Sequence, residues 1–441
     1  MSLYRRLASQ STLIFGARLG GAGLIFVVQA MIARFWGAEI LGEYLVIIAT
    51  VNLVAVVMPL GFQTIGTYFA AEYRARQDRR QLRAFLMRAY GHAVGMFAAL
   101  VILGHPLLDL LGQGASTLAL HFVPACLLAF GTTMVFINGA VLVGLKRPLA
   151  GFLADTIFRP MVVIAAFAGA SIFLSSPDTA FTVMLWVVGI GYAVISIVHF
   201  GFVVSAARSI GQASSLDDPQ HVRRWWRFAL PWVLISLATD FFFDIDLLIL
   251  SAHMPREELA VFGICTRIFS LISFGVAAVY AVIMPDMFES EASDDRAGFH
   301  RKVGEANLVA GALSALLFIG MSLLGPFALR LFGPEFAAGA MPLSVLCLAL
   351  LVRSLMGPAS VVLSIHDRPW SSIPAVFLGL ATLFVANLLL VPPYGLMGAA
   401  VAALIAISLW SISLWYVALR TARVDVSIFA WLRRPHTVPA E

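Results

Sequence analysis

The chain is a succession of long apolar runs separated by short polar segments. A helix needs about 20 consecutive apolar residues to cross the hydrocarbon core of a bilayer, and these runs meet that length. The pattern therefore predicts an all-α polytopic membrane protein with about 12 transmembrane helices. The predicted spans are residues 11–34, 43–67, 89–111, 118–143, 149–174, 182–206, 228–251, 259–285, 304–325, 340–364, 371–391 and 397–419.

The second half of the chain repeats the first at an offset of 221 residues. At this offset Arg147-Pro148 falls on Arg368-Pro369, and Gly104 falls on Gly325. Apolar composition raises the number of chance matches, so the agreement of loops and turn glycines is the stronger sign. Six spans per half is an even number, so both halves enter the membrane the same way round. The sequence thus predicts two parallel six-helix repeats, a two-lobe exporter fold.

The predicted lobes are residues 1–206 and 228–420, joined by a cytoplasmic linker at 207–227 and followed by a cytoplasmic tail at 421–441. The linker is the longest polar connection in the chain. Its last residues, Arg223–Arg227, alternate arginines with two tryptophans. This stretch is typical of an interfacial anchor, so we expect it to hold the second lobe at the lipid headgroups.

Composition and charge support a membrane protein with both termini in the cytoplasm. The chain is 61% hydrophobic and 12% charged, with a mean hydropathy of +0.93, which no soluble domain could cover with polar surface. With the N-terminus inside, the cytoplasmic segments hold 22 of the 29 Lys and Arg residues, against three at the outer ends. That distribution follows the positive-inside rule. The net charge of +5 reflects this topology and contact with anionic lipid, and no nucleic-acid partner is expected.

The sequence offers no sign of catalysis. It contains no phosphate-binding loop for ATP, no Cys/His spacing for a metal and no G-x-S-x-G nucleophile turn. Its three cysteines, Cys126, Cys265 and Cys347, lie in apolar spans and are expected to be buried without disulfides. The outer loops are short, whereas a membrane glycosyltransferase or ligase would carry a large one. We therefore expect a transporter with no catalytic residue, metal or organic cofactor, and keep the membrane enzyme as an alternative.

Three segments resemble one family. Phe26–Tyr44 is similar to the first span and loop of bacterial polysaccharide repeat-unit flippases, the O-antigen and exopolysaccharide transporters of the multidrug/oligosaccharidyl-lipid/polysaccharide exporter superfamily. Asp244–Phe262 resembles the opening of that family's second half, without its usual glycine, and Asn387–Ala400 resembles its eleventh-to-twelfth span connection.

The resemblance implies a flippase of the bacterial inner membrane. Such a protein moves an undecaprenyl-pyrophosphate-linked oligosaccharide from the inner to the outer leaflet, as a step of lipopolysaccharide or exopolysaccharide biosynthesis. The implied partners are the lipid-linked oligosaccharide, membrane lipids, and the polysaccharide polymerase and chain-length proteins. A multidrug or ion antiporter of the same superfamily remains an alternative. A lipid II flippase is a further relative, but that family has fourteen spans.

Charged and polar residues inside the predicted spans suggest where the substrate binds. An arginine near the bilayer centre costs about 2.5–3.5 kcal/mol on insertion scales, so several arginines there are not expected to face lipid. Their guanidinium groups match the oxygens of a pyrophosphate, and a cationic central cavity would follow. Pairing with a nearby aspartate that only holds helices together is the alternative for each. The candidate substrate-binding residues are Arg18, Arg159, Arg267, Arg353, Gln29 and Asn52.

Three aspartates of the seventh span are candidates for ion coupling. Asp240 and Asp244 are one helical turn apart and would share a face. They could bind a proton or Na⁺ that drives the flip, or act as counter-ions for the cavity arginines, and the sequence leaves both open. Asp246 lies about 120° away around the helix, so we expect it to be a structural partner, although its position matches the aspartate of the family's segment.

Overall fold

The computed structural model describes residues 3–111, 116–211, 220–292, 296–366 and 368–429. The described residues are helical almost throughout and contain no strand. By its contacts the chain forms two compact units, Met1–Leu248 and Ile249–Glu441. The centre of the predicted linker and the last part of the predicted tail lie outside the described residues.

The described residues of the first unit form eleven helices and one π-helical turn, and the last helix crosses into the second unit. They are α1 (Leu3–Trp36), α2 (Ala38–Val57), α3 (Phe62–Ala75), α4 (Arg79–Leu111), α5 (Ser116–Leu120), α6 (Phe122–Gly144), α7 (Pro148–Leu153), the π-turn (Ala154–Phe158), α8 (Arg159–Phe173), α9 (Pro177–Arg208), α10 (Gln220–Asp240) and α11 (Phe242–Ser251).

The second unit continues with five further helices and two short 3₁₀ segments. They are α12 (Arg256–Ala292), α13 (Arg296–Leu329), a 3₁₀ turn (Pro334–Gly339), α14 (Ala340–Met356), α15 (Ala359–Ile365), a second 3₁₀ turn (Pro369–Ser372) and α16 (Ile373–Thr421).

Ten stretches of the described residues are long and apolar enough to cross a membrane. Nine of them correspond to one predicted span each. The tenth, Trp370–Thr421, contains the two spans 371–391 and 397–419, which meet at a kink where Gly395 adopts φ 50° and ψ −130°. The seventh predicted span, 228–251, is divided between α10 and α11, which are separated at Phe241. The all-α, two-lobe prediction is confirmed, with the helices placed slightly differently.

The second predicted span, 43–67, is not one helix. Helix α2 ends at Val57, and the chain turns through Leu60 (φ 51°) and Gly61 (φ 86°) before α3 begins. Pro59 cannot donate a helical hydrogen bond, and glycine accepts the left-handed conformation without strain. A Cβ on Gly61 would lie 2.2 Å from the carbonyl oxygen of Ala229. The break therefore also makes room for α10.

Helix α10 packs within the first unit, and Trp225 of its Arg223–Arg227 stretch lies in the core of that unit. Trp225 is 1% exposed within the core of this unit, and its indole N–H donates to the hydroxyl of Tyr73 at 2.8 Å. Arg224 forms an ion pair with Glu72 at 2.9 Å, and this hydrogen-bonded pairing raises the pKa of the guanidinium. The sequence pattern did not indicate Tyr73 and Glu72 as the partners of this stretch, because they lie 152 residues earlier in the chain.

The tenth predicted span, 340–364, also breaks. Gly357 (φ 78°) ends α14 and Pro358 follows. The C-terminal segment packs at this break, because a Cβ on Gly357 would lie 1.9 Å from the carbonyl oxygen of Val426, which also accepts a hydrogen bond from the amide of Asn307. Val426 is fully buried, so the first residues of the predicted tail complete the core of the second unit.

The internal repeat has a structural counterpart at the two Arg-Pro loops. Arg147 has φ −121° and ψ 56°, and Arg368 has φ −122° and ψ 43°. The backbone N–H of each arginine donates to the carbonyl five residues earlier, of Leu142 and Leu363 respectively, both at 2.8 Å. Matching residues at the 221-residue offset thus form the same turn, which supports a true repeat rather than shared apolar composition.

Candidate functional site

The π-turn Ala154–Phe158 interrupts the regular helical geometry of the predicted span 149–174. Pro160 has no N–H, so the carbonyl of Thr156 cannot accept the ordinary helical bond from four residues later, and this favours a wider turn. Helix α1 approaches here, because a Cβ on Gly21 would lie 2.3 Å from that carbonyl oxygen. Wide turns of this kind are frequent at functional sites in helices.

Two charged residues flank the π-turn and pair with each other. Arg159 Nη1 lies 3.3 Å from Asp155 Oδ1, and the hydroxyl of Tyr192 donates to the same oxygen at 3.1 Å. The guanidinium carbon of Arg159 is also 5.6 Å from the centre of the Tyr192 ring. The Asp155 side chain is 43% exposed while that of Arg159 is 18% exposed. For Arg159 the structure therefore supports the pairing interpretation, with the carboxylate as its more accessible partner.

Arg18 borders the same segment from helix α1. Its guanidinium lies 4.2 Å from the centre of the Phe152 ring, in a cation–π contact. Within the described part of the chain no carboxylate forms an ion pair with it, and its side chain is exposed. Gln29, another candidate on α1, is 2% exposed. Arg18 and Arg159 thus both lie at the segment formed by α7 and the π-turn. Gln29 differs from Arg18 because its side chain is buried.

The aspartates of the seventh span do not form one stripe. The helix break at Phe241 separates Asp240, which ends α10 and is exposed, from Asp244, which is 5% exposed on α11. The amide of Asn52 donates to Asp244 Oδ2 at 3.1 Å, joining α2 to α11. Asp246 is fully buried. The structure therefore pairs two predicted residues, Asn52 and Asp244, that lie 192 positions apart.

The two candidate arginines of the second unit lie on different helices. Arg267 is partly buried on α12. Arg353 is exposed near the end of α14, and its guanidinium lies 5.6 Å from the centre of the Trp410 ring. Helix α14 ends at Met356, three residues after Arg353.

Sequence reasoning missed the aromatic partners of these charges. Tyr192 and Phe152 contact Arg159 and Arg18 in the first unit, and Trp410 contacts Arg353 in the second. A proline directly after Arg159 was the available signal for the irregular turn. The aromatic residues carried no comparable signal, since they are spread among many apolar positions.

The arrangement carries groups that can bind an anion. Among the described residues, no three His, Cys, Asp or Glu side chains come close enough to hold a metal ion. The exposed guanidinium of Arg18 and the guanidinium of Arg159 supply donors suited to phosphate oxygens. The three cysteines are buried and unbridged, as the sequence predicted.

Residues 7–291 match the family described as polysaccharide biosynthesis protein. The chain belongs to this family. The match covers more than half of the sequence and includes every candidate residue of the first unit. A search of curated proteins finds no match.

Several solved structures share the fold at low sequence identity. An inward-facing multidrug resistance MATE family transporter of the MOP superfamily has a TM-score of 0.74 and 13% identity, covering 91% of this chain and 95% of that one. The lipid II flippase MurJ in an inward closed conformation has a TM-score of 0.72 and 14% identity, covering 94% and 88%. A MOP superfamily transporter from Pyrococcus furiosus, described as having a binding pocket of reverse polarity, has a TM-score of 0.59 and 13% identity, covering 92% and 94%. The chain therefore has the fold of membrane transporters and flippases.

Proposed function

We propose that this protein is a flippase for an undecaprenyl-pyrophosphate-linked oligosaccharide. It would carry the polysaccharide repeat unit from the inner to the outer leaflet of the bacterial cytoplasmic membrane, by alternating access through the cationic cavity predicted from the sequence. Its membership of a polysaccharide biosynthesis family supports this substrate class. The exporter fold supports transport rather than synthesis.

The observation that carries the proposal is the exposure of the Arg18 guanidinium and its contact with an aromatic ring. It is an exposed guanidinium in a membrane-length apolar helix, held over Phe152 rather than over a described carboxylate. An arginine that only held helices together would be expected to have a neutralising partner, as Arg159 has in Asp155. Arg18 therefore keeps its hydrogen-bond donors available for a phosphate.

Depth in the membrane explains why the two arginines differ. Arg18 lies 18 residues before Trp36 at the far end of its span, a rise of about 27 Å, so it is close to one boundary of a core about 30 Å thick. Under the predicted topology this is the cytoplasmic boundary. Arg159 lies near the middle of the span Pro148–Phe173, where an unpaired charge costs most. Arg18 would thus meet the pyrophosphate first, and Arg159 would exchange Asp155 for phosphate deeper in the membrane.

We propose that Asp244 is the residue that couples flipping to a cation, H⁺ or Na⁺. It is a buried carboxylate that accepts a hydrogen bond from the neutral amide of Asn52. Transporters use carboxylates inside the membrane to bind coupling cations. Asp240 is exposed and suits the counter-ion role better.

The function is tested in proteoliposomes containing a fluorescent undecaprenyl-pyrophosphate-linked oligosaccharide and an impermeant quencher. The protein should make inner-leaflet probe accessible to the quencher, whereas protein-free vesicles should not. In cells, loss of the gene should abolish a surface polysaccharide while its lipid-linked unit accumulates on the inner leaflet. Failure of the lipid-linked unit to form at all would favour the membrane enzyme. Export of a cationic drug without movement of the lipid probe would favour the antiporter.

A further inference from the structure

A small cavity lies behind the π-turn, on a different side from the Asp155–Arg159 pair. Its volume is about 180 Å³, and it lies between helix α9 and the segment formed by α7 and the π-turn. Its walls are almost entirely apolar, with Ala150, Leu153, Ala154 and Phe158 on one side and residues 194–202 of α9 on the other. We call it the His199 pocket, after its one polar side chain.

The imidazole of His199 joins the two walls of the His199 pocket. The ring is 2% exposed, and its Nε2 lies 2.9 Å from the carbonyl oxygen of Ala150. A carbonyl can only accept, so Nε2 must carry the proton. Nδ1 is buried and has no hydrogen-bond partner within the described residues, so a second proton there would bury an unmatched donor. The ring is therefore suited to its neutral form, and the pocket to hydrocarbon rather than to a charged group.

The rim of the pocket is formed by exposed apolar side chains. Val194 is 54% exposed and Val198 is 57% exposed, both within the span Pro177–Arg208. Phe158 and Phe202, on opposite sides of the pocket, are also exposed. In a bilayer these side chains contact lipid, so acyl chains have direct access to the pocket.

Exposed cations lie beyond one end of the pocket. Arg147 precedes Ala150 by three residues, a rise of about 4.5 Å in a helix, and Arg208 follows Phe202 by six residues, a rise of about 9 Å. Lys146 is exposed beside Arg147. An apolar pocket ending at a group of cations has the charge and polarity of an anionic phospholipid, with its chain inside and its phosphate at the surface.

We infer that the first unit binds one anionic phospholipid at this position. One acyl chain occupies the His199 pocket, and the phosphate lies between Arg147 and Arg208. Ala154 and Phe158 form part of the pocket and also belong to the π-turn that carries Asp155. A bound chain therefore restrains the turn, and this regulatory consequence rests on the proposed function. The binding itself does not.

The test uses the full-length protein in nanodiscs and a phosphatidylglycerol probe with a photoreactive diazirine in one acyl chain. Crosslinks should concentrate in residues 194–202. Native mass spectrometry should show that Arg147→Gln and Arg208→Gln each weaken phosphatidylglycerol binding about fivefold, with phosphatidylcholine unaffected. Val198→Trp should fill the pocket and remove the crosslinks.

Two control variants separate this site from general lipid contact. Val187→Trp changes the same membrane-facing side of α9 three turns away, and Arg223→Gln removes an exposed cation from α10. Both should leave binding and crosslinks unchanged. Crosslinks spread evenly along α9, equal effects of Val187→Trp and Val198→Trp, or no preference for phosphatidylglycerol would overturn the inference. None of these measurements requires transport, so they remain informative if the proposed function fails.

Discussion

The hydrogen bond between Trp225 and Tyr73 provides a direct test of whether helix α10 packs within the first unit. Tyr73→Phe removes only the hydroxyl oxygen that accepts the indole N–H at 2.8 Å. Both side chains are 1% exposed, so water cannot replace the lost acceptor. We expect this change to reduce the free energy of unfolding, although Phe keeps the ring packing.

The size of the loss follows from burial. A buried donor left without its acceptor costs about 1–3 kcal/mol, so Tyr73→Phe should lower the unfolding free energy by that amount. Trp225→Ala also removes a large buried ring and should cost about 3–5 kcal/mol. In a cycle of Tyr73→Phe, Trp225→Phe and the double variant, the coupling energy should be about 1 kcal/mol.

The burial of the Tyr73 hydroxyl predicts a dependence on alkaline pH. Burial raises the pKa of Tyr73 to about 12, above its ordinary value of about 10. A raised pKa means that the stabilisation is complete below pH of about 10 and is lost as the pH rises through about 12. Tyr73→Phe should remove this alkaline component.

Unfolding of the purified protein in detergent, followed by tryptophan fluorescence, measures all of these quantities. Tyr394→Phe is the matched control, because this tyrosine is 65% exposed. If Tyr73→Phe behaved like the control and the cycle gave no coupling, Trp225 would lie in the headgroups, as its sequence context alone suggests. The assignment of α10 to the first unit would then be wrong.

Three further predictions concern transport and topology. Arg18→Ala should lower the initial flipping rate about 10- to 100-fold in proteoliposomes, as expected for a lost charged hydrogen bond, and Arg18→Lys should restore it only partly; an unchanged rate would remove phosphate binding from Arg18. Asp244→Asn should abolish stimulation by an imposed H⁺ or Na⁺ gradient, whereas Asp240→Asn should keep it at a lower rate, and a wild-type protein indifferent to both gradients would exclude coupling. Reporters fused after Gly37 should lie outside and those after Pro148 inside, so the reverse result would contradict the predicted orientation.

The sequence by itself determined the class of protein and most of its helices. Apolar runs longer than a bilayer core leave the backbone no alternative to helix, because its polar groups must be satisfied within the segment. The repeat was readable for a similar reason, since Arg147-Pro148 and Arg368-Pro369 form a turn whose hydrogen bonds close within six residues. A turn of this kind can be predicted from the sequence, because the residues that form it are neighbours in the chain.

Helix breaks were only partly readable. Pro59 with Gly61 and Gly357 with Pro358 are visible in the sequence, yet similar residues also occur within continuous membrane helices. What decided these two breaks was the approach of distant backbone, the carbonyl of Ala229 in one case and that of Val426 in the other. The sequence therefore shows where a helix can break, and the packing of distant backbone determines where it does break.

Tertiary structure decided most of the charge contacts, apart from the Asp155–Arg159 ion pair, whose residues are only four apart in the sequence. Four arginines inside predicted spans looked equivalent in the sequence, but Arg159 is paired with Asp155 and Tyr192 whereas Arg18 lies over Phe152. Asn52 and Asp244 were both candidates, and nothing in their positions indicated that they would be hydrogen-bonded to each other. An apolar helix accepts a polar residue at many positions, and for Arg18 and Asp244 the contact comes from a helix distant in the sequence, which the order of residues does not specify.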